Sequence, residues 1–229
     1  MPPMHPIRRY MQGTLDFACG IYAVINALSL VYGLNLAGAR RIFAECQLEL
    51  AAHPRTFARY MRNETDHYWL VRYMLRRWCP PGKALPFQGL SVCCPFAGQV
   101  PPSDLDLELS MPPLYLPEKH PASGPAGAAQ AQAEALSVWQ TLQGWYENGA
   151  GKRAVILRFH RFVPQVADPI VSHWSCLRGM EHDAAHLHDA SSEPTALHSF
   201  ERVALMPGNG CRALVRIVPE SVFLLEAIS

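Results

Sequence analysis

The hydrophobic period of the chain changes once, near residue 150, and that change limits the fold more than any other feature. Before it, apolar residues recur at three- and four-residue steps, the mark of helices with one buried face. Ile21, Val24, Ile25, Leu28 and Val31 predict a first helix that opens near Cys19 and stops at Gly33. Leu36 to Leu50 predicts a second, with Leu36, Ala39, Phe43, Cys46 and Leu50 on one side and Arg40, Arg41, Glu45 and Glu49 on the other. A third runs from about Asp66 to Trp78, its stripe Leu70, Val71, Met74, Leu75 and Trp78, with Arg72, Arg76 and Arg77 as a solvated basic edge. Ala128 to Asn148 predicts a fourth through Leu136, Trp139, Leu142, Trp145 and Tyr146, closed by Asn148-Gly149. After it, RAVILRFH (153–160), SHWSCLRG (172–179), AHLHDAS (185–191), CRALVRIVP (211–219) and SVFLLEAI (221–228) are short, rich in β-branched and aromatic residues, and separated by turn-like stretches. Helices first and strands afterwards predict an α+β fold, N-terminal helices packed on a C-terminal, mostly antiparallel sheet.

A chain of 229 residues is long enough for one domain with a full core, spanning 1–229, and no internal repeat is visible. Residues 79–126 hold eleven prolines and little periodicity. Such a segment neither continues a helix nor makes a good central strand, so it reads as an insertion over the surface, either poorly ordered or serving as a lid or substrate rim. Within it, VCCPF and PPLYLP are apolar enough to dock.

With 17% charged residues and a net charge of +1, nothing favours nucleic acid or an acidic membrane surface as a partner. The start, MPPMHPIRRY, lacks the apolar run of a signal peptide, and no apolar stretch reaches membrane-spanning length. Seven scattered cysteines, with no CxxC, argue against a disulfide framework or a zinc site. The expectation is a cytoplasmic protein with free thiols, no cofactor and no metal.

Among those thiols Cys19 stands apart. In QGTLDFACGIYAVINAL (12–28) it falls at the first turn of an apolar helix, where the helix dipole favours thiolate over thiol. Asp16 reads as a cap or first-turn carboxylate. Gln12 can bring its amide N–H toward the Cys19 backbone N–H, and two donors converging there make an oxyanion hole. The competing reading is that Cys19 is only a small buried hydrophobe. Downstream, His173 opens SHWSCLRG and Asp189 lies near the end of AHLHDAS, with GMEHDAA as a hairpin loop between them. A hairpin sets the start of its first strand beside the end of its second, which makes His173 and Asp189 cross-strand neighbours and lets the carboxylate orient the imidazole.

These residues, QGTLDFACGIYAVINAL followed by HWSCLRG and LHDAS, resemble the papain-like cysteine peptidases, closest to the bacterial branch that includes the double-glycine leader peptidases. The resemblance implies a papain-like fold, with Gln12 as oxyanion donor, Cys19 as nucleophile, His173 as base and Asp189 as orienting acid. It also implies a peptide or protein substrate cleaved after a small residue, such as a Gly-ending or ubiquitin-like tail. The chain departs from the pattern where Phe17 and Ala18 separate Asp16 from Cys19, where Ile21 follows Gly20, and where Ala190 follows Asp189.

His182, His186 and His188 crowd near Asp183 and Asp189, but on a strand His186 and His188 share a face that Asp189 does not, so they form no ligand set. Asp168, before Pro169, reads as a turn residue and a reserve acid; Trp174 reads either as a shield for the ion pair or as a core aromatic. The expected function is a cysteine peptidase or isopeptidase. The same chemistry also serves acyl transfer or deamidation, and a rival of another class is an inactive papain-like binding module.

Overall fold

The structure is a computed structural model that describes residues 8–11, 18–61, 68–78, 90–96, 125–149, 152–162, 170–191, 196–205 and 214–227. Its helices are α1 (Cys19–Tyr32), α2 (Leu36–Ala51), α3 (Pro54–Met61), α4 (Tyr68–Trp78) and α5 (Pro125–Glu147). Its strands are β1 (Leu90–Cys93), β2 (Arg153–Phe162), β3 (Ile170–Glu181), β4 (Ala184–Leu187), β5 (Ser199–Glu201), β6 (Val215–Ile217) and β7 (Phe223–Ala227). They form one antiparallel sheet in the order β1-β7-β2-β3-β4-β5, with β6 also paired to β2. The α+β class and the order of helices before sheet are as the period change predicts.

Three elements depart from the sequence reading. α3 was not foreseen; it opens on Pro54, whose fixed φ suits a first helical position, and it is too short to show a repeating stripe. β5 is three residues long and carries no alternation to read. Within the Pro-rich 79–126 stretch, Leu90–Cys93 is a strand rather than part of a structureless excursion. It takes the edge position beside β7, the place in a sheet that a proline-flanked segment tolerates. Most of that stretch lies outside the described residues.

Why β2 reads as an unbroken apolar run is clear from what covers it. Ala154 and Ile156 face α1 in a core with Ile21, Val24, Ile25, Leu28, Trp174, Cys176 and Phe223, joined by Ile42 of α2 and Met74 of α4. Val155, Leu157 and Phe159 face α5 in a second core with Trp139, Leu142, Leu177 and Leu187. A strand covered on both faces has no solvent side on which to place polar residues. Ten of the fourteen residues of α1 are buried, so it is a core helix and not a surface one. It ends as Gly33 turns into the left-handed region at φ 67°, where glycine meets no steric penalty.

Two polar side chains replace missing ladder bonds. Where β2 exchanges β7 for β6, the buried Ser221 hydroxyl accepts from the Arg158 N–H at 2.9 Å and donates to the Val218 carbonyl at 2.6 Å. On α1, the fully buried Asn26 accepts from the Tyr10 N–H at 2.8 Å and donates to the Tyr10 carbonyl at 3.0 Å, as a neighbouring strand would. Ser29 adds a bond to the Arg8 carbonyl at 2.9 Å, so residues 8–10 run along α1 toward its N-terminus.

The β3–β4 hairpin is tighter than the GMEHDAA loop predicted: Glu181 pairs with Ala184, leaving His182 and Asp183 as the turn. His182 has φ 52°, in the left-handed region. Between Leu177 and Gly179 the register slips by one residue, a β-bulge that leaves Arg178 unpaired with β4.

Asn26→Ala is expected to cost at least about 2 kcal/mol, because it orphans a buried N–H and C=O together; chemical denaturation measures it. His182→Gly is expected to stabilise by about 1 kcal/mol by relieving the left-handed backbone, read as a rise in melting temperature.

Candidate active site

Cys19 is the first residue of α1, preceded by Ala18, which supplies no side-chain cap. The opening N–H groups of a helix have no acceptor within it and carry the positive end of the dipole, so this is a favourable place for a sulfur anion. Cys19 is partly exposed, packed on the edge of the α1 core. Asp16 and Gln12, the expected first-turn carboxylate and oxyanion donor, lie outside the described residues, as does Asp168.

His173 lies near the start of β3, opposite Phe159 of β2, whose ring meets the imidazole edge-on at 5.8 Å. Its Nε2 donates to Asp189 Oδ1 at 2.7 Å. The imidazole also hydrogen-bonds the Cys19 side chain. With Nε2 taken by the carboxylate, Nδ1 is the nitrogen left for sulfur. The three side chains named from the sequence therefore meet at one point, thiol beside imidazole beside carboxylate.

The carboxylate is buried while the other two side chains keep contact with solvent. Asp189 keeps 1% of its side-chain surface, while His173 keeps 15% and Cys19 is likewise partly exposed. A carboxylate that deep needs donors, and besides His173 it accepts from the N–H of Ser191 at 3.3 Å and from Ala190. Burial works against its charge, yet the His173 bond, the imidazolium charge and these N–H groups hold it below the usual carboxylate range. Burial likewise opposes a charged His173, but its bonds to Asp189 and Cys19 and their negative charges outweigh it and lift the imidazole to about 10.

Other described thiols have no such neighbour. Burial pushes Cys46 up to about 12, with Glu49 adding to it, and pushes Cys176 up further, helped by the Asp189 charge. Cys94 is also raised by burial, partly offset by Arg72 and Arg76. These are packing cysteines held as thiols.

The three clustered histidines go to separate tasks: His182 forms the turn, His186 approaches Glu181 at 3.8 Å, and the buried His188 lies 3.5 Å from the Arg8 carbonyl. Among the described residues no set of three or more potential ligands converges on a metal. Trp174 packs in the α1 core, its ring 6.4 Å from Phe223, as a core aromatic. No described helix is long and apolar enough to cross a membrane.

Two features escaped the sequence reading. A polar Asn26 inside an apolar stripe was a visible signal of a buried structural bond. Ser175, between Trp174 and Cys176, carried none, because a serine on a strand has many ordinary explanations. The chain matches no protein-family model, no curated protein and no solved structure.

Asp189→Asn should lower the His173 midpoint well below 10, since burial then acts against the imidazolium with one anion fewer, as an NMR titration of the imidazole would show. The raised His173 stabilises the fold fully below its unfolded value near 6.5, and that share is lost as pH rises toward about 10. The depressed Asp189 acts oppositely: its share is present above the unfolded value of 3.8 and is lost as pH falls through its folded midpoint.

Proposed function

We propose that the chain is a cysteine peptidase or isopeptidase with a papain-like fold, acting on a peptide or protein acyl bond through a thioester. The observation that carries this reading is the single imidazole held between a buried carboxylate at 2.7 Å and a partly exposed thiol. With the imidazole held protonated, the Cys19 proton already lies on His173 at Nδ1 in the resting site, and the thiolate attacks the substrate carbonyl carbon. The tetrahedral oxyanion collapses, the C–N bond breaks, and the departing amine leaves with the proton from His173. Water then gives a proton to His173 and attacks the thioester, releasing the acid and restoring the thiolate beside the protonated imidazole. Asp189 stays ionised throughout, fixing the ring and balancing its charge.

The contact between thiol and imidazole supports an enzyme over a binding module that keeps only the scaffold. A buried carboxylate and a histidine brought to a semi-exposed cysteine cost desolvation that such a module would gain nothing from. The likeness of QGTLDFACGIYAVINAL, HWSCLRG and LHDAS to papain-like peptidases supports a substrate with a small residue at the scissile bond, a Gly-ending or ubiquitin-like tail being the first to try. Acyl transfer and deamidation pass through the same thioester and differ only in what resolves it.

Iodoacetamide at neutral pH should alkylate Cys19 faster than a simple thiol and faster than Cys46 or Cys176, and His173→Ala should abolish the advantage. A Cys19 no more reactive than a free thiol removes the proposal. On candidate substrates, mass spectrometry separates cleavage, cross-linking and a gain of about one dalton as outcomes, and His173→Ala should slow any of them at least about 100-fold.

A further inference from the structure

The β-bulge on β3 decides which residues surround Asp189. Counted from the turn, where Glu181 pairs with Ala184 and Gly179 with His186, an unbroken register would set Asp189 opposite Cys176, on the face away from His173. The slip at Arg178 changes that. Beyond it Leu177 pairs with Leu187, and the His188 N–H bonds the Cys176 carbonyl at 2.6 Å. Extended one residue further, past the end of β4, this register puts Asp189 opposite Ser175 and on the same face as His173, which its carboxylate does reach.

Ser175 is 1% exposed, and its hydroxyl has no hydrogen-bond partner among the described residues. An orphaned buried hydroxyl is costly and calls for an acceptor. Asp189 has room for one. Its known donors are His173, Ser191 and Ala190, and a carboxylate offers about four acceptor positions. The His188 N–H bond to Cys176 marks a hydrogen-bonding position, so extending the ladder one residue past the end of β4 makes Ser175 and Asp189 a pair of the close kind, with Cβ atoms about 4.5–5.5 Å apart. A serine hydroxyl and an aspartate carboxylate bridge that span after a change of side-chain rotamer.

We propose that Ser175 is a positioning residue whose hydroxyl donates to the Asp189 carboxylate and fixes it for His173. That positioning role rests on the cysteine-hydrolase reading; the contact itself does not. The titratable groups around the pair are His173 and Cys176 on β3, Cys19 on α1 and Tyr146 on α5, whose hydroxyl bonds the Leu177 carbonyl. His188 adjoins Asp189, with Arg9 and Arg178 near its ring.

The test follows the Asp189 carboxyl carbon by NMR as a function of pH in the full chain and needs no substrate. Removing a donor from an anion raises its midpoint, so Ser175→Ala should move Asp189 up by about one pH unit. Ser175→Thr, which keeps the hydroxyl, should bring it back. If Ser175→Ala does not fold, the near-isosteric pair Ser175→Thr and Ser175→Val replaces it, and the midpoint should be higher in Val. An Asp189 midpoint that is the same with and without the hydroxyl overturns the proposal. Failure here leaves fast Cys19 alkylation untouched, whereas failure of the hydrolase reading shows as slow alkylation with the Asp189 shift intact.

Discussion

A carboxylate with 1% of its surface in contact with solvent is stable only where the fold supplies the charge and donors that water would have given. At Asp189 those are an imidazole and the N–H groups of the two residues that follow it. The imidazole in turn keeps a proton that burial alone would strip from it. Each group is tolerable in its place because of the other, and the arrangement of β3, β4 and α1 serves to keep both beside a thiol that remains within reach of solvent.

The scaffold achieves this by covering one sheet on both sides. α1 lies against one face and α5 against the other, so the middle strands have no freedom to slide without exposing apolar side chains. Rigid flanks let small polar devices act locally. Asn26 stands in for a strand along Tyr10, Ser221 fills the gap where β2 changes partner, and the bulge at Arg178 adjusts the phase of β3 by one residue. None contributes much apolar burial, yet each settles where a backbone segment near Cys19, His173 or Asp189 can go.

Much of this was legible in the sequence, and what was not has physical reasons. The stripe from Ile21 to Val31 and the stop at Gly33 gave α1 nearly to the residue, because a core helix and its left-handed cap are local properties. The pairing of His173 with Asp189 followed from hairpin logic, although the reasoning supposed a looser loop and no bulge; the two departures offset each other. Phase shifts of one residue leave no mark on composition, since they depend on which register best buries the neighbours. α3, β5 and β1 went unseen because eight, three and four residues hold too little periodicity to stand out. The position of Ser175 became meaningful only through the strand opposite.

The place of β7 in the sheet bears on how the chain matures. The last described strand in sequence is an inner one, inserted between β1 and β2. During synthesis from the N-terminus, β1 emerges long before β7, its neighbour among the described strands, and waits for residues 223–227 to leave the ribosome. The cysteine at the head of α1 likewise gains its imidazole neighbour late, only after β3 has emerged and taken its place in the sheet.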